Sequence, residues 1–232
     1  MHTSSFAFAM LVLCSGAAHA AALTTGPVQQ GATAVAAPLA GGSMSQTADT
    51  APVASNSVAC NVGGVTTAND YYRRFYFSET GATGPAHITS VDVGVESSSG
   101  QSIVVNLYSI PHAVAVDTID MTQLTLLGTG SAAVPAGTSL SSVNVPVSGA
   151  IADTVGNDLV VDVSTPDGRT DNSGFFIGST PAAETHPGFL MAPDCGITAP
   201  SATAAVGQPN MHIILVVNGS GLPVELQSYS ID

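Results

Sequence analysis

The chain contains no lysine and no tryptophan, and its three basic residues, Arg73, Arg74 and Arg169, stand against 16 acidic ones. A Walker-type phosphate loop and Schiff-base or pyridoxal chemistry each require a lysine, so both are excluded. Nucleic-acid binding requires a basic face that neutralises phosphates, and a net charge of −13 repels them instead. Charged residues of any sign make up only 8% of the chain, while glycine (24) and proline (14) are plentiful. Helix surfaces draw on Glu, Lys and Arg, so this composition suits a Ser/Thr-rich β protein better than a helical one. Long apolar runs are also lacking. The first, Phe6–Leu13, falls far short of the roughly 20 residues a membrane span needs, and no later run reaches that length.

Residues 1–20 read as a secretory signal peptide, with that apolar run followed by the A-x-A pattern Ala18-His19-Ala20. The n-region offers His2 but no Lys or Arg. The competing reading, a lipoprotein signal acylated at Cys14, meets Leu13 where a small residue is expected. Cleavage near Ala20 sends the chain to the periplasm, the cell surface or the medium. It also leaves two cysteines, Cys60 and Cys195, and an even count in an oxidising compartment argues for a disulfide. The bond would close a loop of about 135 residues, for which the chain-entropy model gives roughly 5 kcal/mol as an upper figure.

Residues 21–57 are Ala, Gly, Thr, Ser, Pro and Gln with no hydrophobic period, and Asp49 is the only charge before residue 58. Such a segment buries too little apolar surface to offset its ordering entropy and is expected to be a flexible linker. From residue 58 to residue 218 the texture changes to short β-branched or aromatic runs between Gly/Pro/Asn/Asp/Ser clusters. The clearest are Tyr71–Phe77, Ile88–Glu96, Ile103–Ile110, Leu124–Gly128, Leu140–Val147, Leu159–Ser164, Gly174–Gly178 and Met211–Val217. Val91, Val93 and Val95 alternate with Asp92, Gly94 and Glu96, and Val143–Val147 and Leu159–Val163 repeat the pattern, the mark of half-buried strands. Met211–Val217 is nearly all apolar and is expected as a central strand. The fold class is therefore all-β: a two-sheet antiparallel β-sandwich, jelly-roll-like. Segments 111–122 and 180–209 carry no strand signal, and residues 219–232 follow a Gly/Ser hinge as a separate tail.

Several stretches together are specific enough to resemble a known group. Val58-Ala59-Cys60-Asn61-Val62-Gly63-Gly64, Tyr71-Tyr72-Arg73-Arg74-Phe75-Tyr76, Thr89–Glu96, Val105-Asn106-Leu107-Tyr108 and Pro209-Asn210-Met211-His212-Ile213 are similar to a module of secreted bacterial proteins. The resemblance covers about residues 58–218. It implies a surface or extracellular β-sandwich without an established activity, and it brings no catalytic residues with it. The terminal Leu222-Pro223-Val224-Glu225-Leu226 is similar to a stretch that opens a further segment in other secreted bacterial chains.

Candidate site residues divide into four groups. Arg73 and Arg74 are adjacent in a strand and point to opposite faces, so one of them must lie among the more buried residues. The structural reading pairs it with Asp92 or Glu96 on the next strand; the functional reading is an anchor for an anionic ligand. Asp167, Asp171 and Asn172 surround an acidic loop that offers oxygen ligands to Ca²⁺, while Pro166-Asp167-Gly168 equally describes an ordinary turn. His87, His112, His186 and His212 remain after processing, and none starts an H-E-x-x-H motif; no G-x-S-x-G elbow occurs either. Tyr72, Arg74, Tyr76 and Tyr108 would form a ligand-binding platform if they share a solvent face; the ordinary role of strand tyrosines is cross-strand packing. The expected function is a non-catalytic, surface-exposed structural or binding module. The alternative is a module for carbohydrate or a surface polymer, with Ca²⁺ as a conceivable cofactor, and a hydrolase comes last.

Overall fold

A computed structural model of the chain describes residues 21–26 and 42–223. The signal segment, residues 27–41 of the expected linker and residues 224–232 of the tail lie outside the described residues. The strands are β1 (Ala22–Thr25), β2 (Gly42–Ser45), β3 (Val58–Val62), β4 (Val65–Thr66), β5 (Asn69–Phe75), β6 (Ala86–Ser99), β7 (Ser102–Pro111) and β8 (Thr125–Ala133). They continue with β9 (Ala136–Ile151), β10 (Asn157–Thr165), β11 (Phe175–Ile177), β12 (Ser179–Thr180), β13 (Phe189–Ala192), β14 (Ile197–Ala202), β15 (His212–Ile213) and β16 (Leu215–Ser220).

Two sheets form the sandwich. One has six strands in the order β14-β13-β5-β10-β7-β8. In the other, β6 runs between β9 on one side and β16 on the other, β2 lies outside β16, and β11 pairs with the far half of β6. Every pairing is antiparallel. The alternation in the sequence sets the core: Tyr71 and Phe75, Ile103, Val105 and Leu107, and Leu159, Val161 and Val163 from the first sheet meet Val91, Val93, Val95, Val145, Leu215 and Val217 from the second. Burial of each such side chain contributes about 1.5–3 kcal/mol. Where β8 closes against β9, glycines set the spacing. A Cβ at Gly128 would lie 2.0 Å from the Ser148 carbonyl oxygen, and one at Gly130 would lie 2.2 Å from that of Pro146.

The Cys60–Cys195 disulfide forms, with Cα atoms 5.8 Å apart, and ties β3 to the 3₁₀ turn before β14. The stretch expected to be a linker departs from its expectation. β1 pairs with β3, β2 pairs with β16, and the Ser55 and Ser57 N–H groups donate to the carboxylate of Glu96, each at 2.9 Å. Ladder pairing and the Glu96 carboxylate hold these residues, with Met44 and Leu23 packed on the main core, and composition does not display such pairing. Segment 180–209 likewise contains β13 and β14. The first is only four apolar residues long; the second includes Pro200 and occupies the sheet edge, where a missing N–H is tolerated. The Met211–Val217 run is split at Ile214: His212–Ile213 pairs with β12, and the remainder enters the second sheet between β6 and β2.

Candidate functional site on the outer face of the six-stranded sheet

Arg73 and Arg74 are both buried, at 0% and 1% exposure, and neither pairs with Asp92 or Glu96. Those acids lie on β6, which follows β5 in sequence but belongs to the opposite sheet; the true neighbours of β5 are β10 and β13. Arg73 points inward at one end of the core. Its guanidinium donates to the carbonyls of Ile213 (2.5 Å) and His186 (2.7 Å) and pairs with Glu184 at 2.6 Å. Arg74 points outward and pairs with the fully buried Asp158 at 2.7 Å. Its remaining N–H groups donate to the carbonyls of Val114, Ala115 and Thr118 (2.9–3.1 Å), so it is the pin that roots the loop after β7. With its donors spent internally, Arg74 is not available as an anchor for an anionic ligand.

That rooted loop covers part of the outer face. Val114, Ile119 and Leu124 pack on a second apolar cluster of Tyr72, Ile110, Val160 and Phe189, separate from the main core. Beside the cluster the strand registers align one row of side chains across the sheet: Phe189 on β13, Tyr72 on β5, Asp162 on β10, Asn106 on β7 and Thr129 on β8. The Thr129 hydroxyl donates to Asn106 Oδ1 (2.9 Å), and Asn106 Nδ2 donates to Asp162 Oδ2 (3.1 Å). Asp162 is 4% exposed, and its Oδ1 is buried with no hydrogen-bond partner. Tyr108 and Asp70 stand diagonal to it on the neighbouring strands.

The electrostatics follow from that placement. Burial pushes the Asp162 carboxyl up to about 7; the Asn106 hydrogen bond opposes the rise, and the Asp70 charge adds to it. Burial also raises Asp70, against a hydrogen bond from Ser164. Tyr72 and Tyr108 are raised first by burial and then by the charges of Asp162 and Asp70. The four groups thus form one interacting set on a face whose other buried charges, Arg74 and Asp158, neutralise each other. A buried carboxyl with an unpartnered oxygen is costly, and such groups concentrate where function needs them.

No family model, curated protein or solved structure matches the chain. The site is therefore read from its own chemistry.

Of the four expected platform residues, Tyr72, Arg74 and Tyr108 share this face, as the alternation required. Tyr72 and Tyr108 flank Asp162, whereas Arg74 is the loop pin. Tyr76 lies beyond the strand end, where its ring carries the Arg74 guanidinium at 4.8 Å and the His186 imidazole at 4.2 Å. The proposed calcium residues are otherwise engaged. Asp167 accepts from the Arg169 N–H and pairs with its guanidinium, and Asp171 accepts from the Ser173 hydroxyl at 2.7 Å. Asn172 takes the left-handed backbone of a turn (φ 55°). Among the described residues no three His, Cys, Asp or Glu converge on a point suited to a metal ion.

Sequence reasoning missed Asn106, Thr129 and Asp162. Asp162 was legible only as the single acid in the Leu159–Ser164 run, on the face opposite Leu159, Val161 and Val163. Its neighbours come from β5, β7 and β8, and no sequence spacing connects them.

Proposed function

We propose that this protein is an exported, non-catalytic binding module that recognises carbohydrate or another hydroxyl-rich surface polymer on the outer face of its six-stranded sheet. Asp162 carries the reading. A sandwich gains nothing in stability from a desolvated carboxyl at the centre of an outward face, yet this one is kept there between two tyrosines and backed by an amide and a hydroxyl. The half-buried Tyr108 ring offers apolar area for a sugar face, and the Asn106 amide and Thr129 hydroxyl beside it supply hydrogen bonds that fix its orientation, while Tyr72 lies buried in the cluster that the loop covers. The disulfide, the signal-like segment and the resemblance to secreted bacterial modules support export.

The test is a glycan array probed with the mature chain and with Tyr108→Ala and Asn106→Ala. Specific binding that falls at least about tenfold in both variants is expected, the loss of one stacking contact or hydrogen-bond pair. A flat response across glycans removes the carbohydrate reading. Release of new reducing ends from a bound glycan would instead make the Asp70/Asp162 pair catalytic.

A further inference from the structure

His186 presents both ring nitrogens to carboxylates. Nδ1 lies 2.7 Å from Asp117 Oδ1, and Nε2 lies 2.9 Å from both oxygens of Glu79. A neutral imidazole has one N–H and one lone pair, so only the imidazolium donates to both acids at once. Three segments distant in sequence meet here: the 3₁₀ turn Phe77–Glu79, the loop between β7 and β8 that supplies Asp117, and the segment before β13 that supplies His186. The ring is only 13% exposed, while Glu79 and Asp117 are about half exposed.

We propose that His186 is a proton-operated clasp on the loop that walls the outer-face site. As an imidazolium it ties Asp117 to Glu79. On losing its proton it keeps one acid and turns a lone pair toward the other. Asp117 is the partner whose release matters to the loop, because it stands at the loop's tip in a left-handed turn conformation (φ 56°) that an aspartate adopts readily, and its side chain is half exposed. Arg74 keeps its grip on the carbonyls of Val114, Ala115 and Thr118, so the loop stays rooted and only its tip loosens.

The charged and titratable groups around the ring are few. Glu79 and Asp117 face its nitrogens, and Tyr76 stacks on it while its hydroxyl accepts the Asp117 N–H at 2.8 Å. Arg74 lies over the Tyr76 ring. Arg73 binds the His186 carbonyl and pairs with Glu184, and Glu184 lies 3.5 Å from His212. Burial disfavours the charged ring, but the hydrogen bonds and charges of Asp117 and Glu79 outweigh it, so His186 titrates above the ordinary histidine value. A raised histidine stabilises the fold at pH below its unfolded value, and that stability is lost as pH rises through the folded one. The clasp is closed in mild acid and opens toward alkaline pH.

The clasp stands on its own geometry; its effect on a ligand rests on the binding reading above. The experiment follows the His186 ring protons by NMR from pH 5 to 9 and measures hydrogen-exchange protection factors of the amides at 115–118 over the same range. We expect the ring to titrate above about 6.5 and protection to fall about three- to tenfold through the same midpoint, the equivalent of one hydrogen bond. The step should vanish in His186→Gln. Asp117→Asn, at a half-exposed position, should move the titration downward and guards against a His186 variant that fails to fold. Protection that is indifferent to pH in the native chain overturns the clasp. A protection step in a protein that binds no glycan leaves the clasp standing and removes the binding reading. Glycan binding that ignores pH while protection steps breaks the link between the two.

Discussion

The outer faces of the two sheets each carry an aspartate at mid-strand, and they treat it differently. On the second sheet, Asp92 receives the Asn144 amide on Oδ1 (2.7 Å) and the Asn218 amide on Oδ2 (2.8 Å), so both oxygens are occupied. On the first sheet, Asp162 receives one amide, from Asn106, and its other oxygen is buried without a partner. Asp92 is a joint that ties β9 to β16 across β6. Asp162 is an expense with no structural return. Asn218 Oδ1 is also buried without a partner, so the two ladders differ in the acid itself: the carboxyl is fully bonded on the second sheet and half bonded on the first, where the candidate site lies.

The largest expected effect tests whether the first face is built around its loop pin. Asp158→Ala leaves the buried Arg74 guanidinium without its carboxylate and should cost about 3–5 kcal/mol by urea denaturation. A loss below about 1 kcal/mol would show that the loop carbonyls alone hold Arg74 and would weaken the distinction between the faces. Next comes the pH response of Asp162. Its carboxyl titrates at about 7 in the folded chain against 3.8 ordinarily, so the native state holds a proton that the unfolded state releases earlier. Stability therefore falls as pH rises from about 4 to about 7, by a few kcal/mol and about 4 at most. Asp162→Asn should flatten that slope, and an unchanged slope in the variant would mean that Asp162 is not the costly group. The smallest effect belongs to the satisfied aspartate. Asp92→Asn turns one acceptor into a donor facing an amide and should cost about 1 kcal/mol in the same assay. A larger loss than that from Asp158→Ala would reverse the ranking of the two faces.

Alternation made much of the fold legible. The period-2 runs at Val91–Val95, Val143–Val147 and Leu159–Val163 entered the sandwich facing as their pattern required, because a strand's side chains must alternate and only one set can leave water. The cysteine count pointed to the disulfide, since the expected signal segment accounts for Cys14 and leaves Cys60 and Cys195 only each other. Where apolar content was thin, the pattern was silent. β2 buries little beyond Met44 and β14 is interrupted by Pro200, so ladder hydrogen bonds available to any sequence decided their places, while β13 is apolar but too short for a period to show.

By itself the sequence determined the class of fold, the expected pairing of Cys60 with Cys195, the face on which each residue of the alternating runs stands, and the strongly acidic balance. Tertiary structure alone decided who neighbours whom. It placed β10 rather than β6 beside β5, and so gave Arg74 to Asp158 instead of Asp92 or Glu96. The same sheet order brought Tyr72, Asp162 and Asn106 into one row, and loop packing brought His186 between Glu79 and Asp117 across gaps of 107 and 69 residues. The reason is physical: side-chain direction follows from the backbone of a single strand, whereas sheet order is set by which strands bury the most surface together, a property of the whole chain.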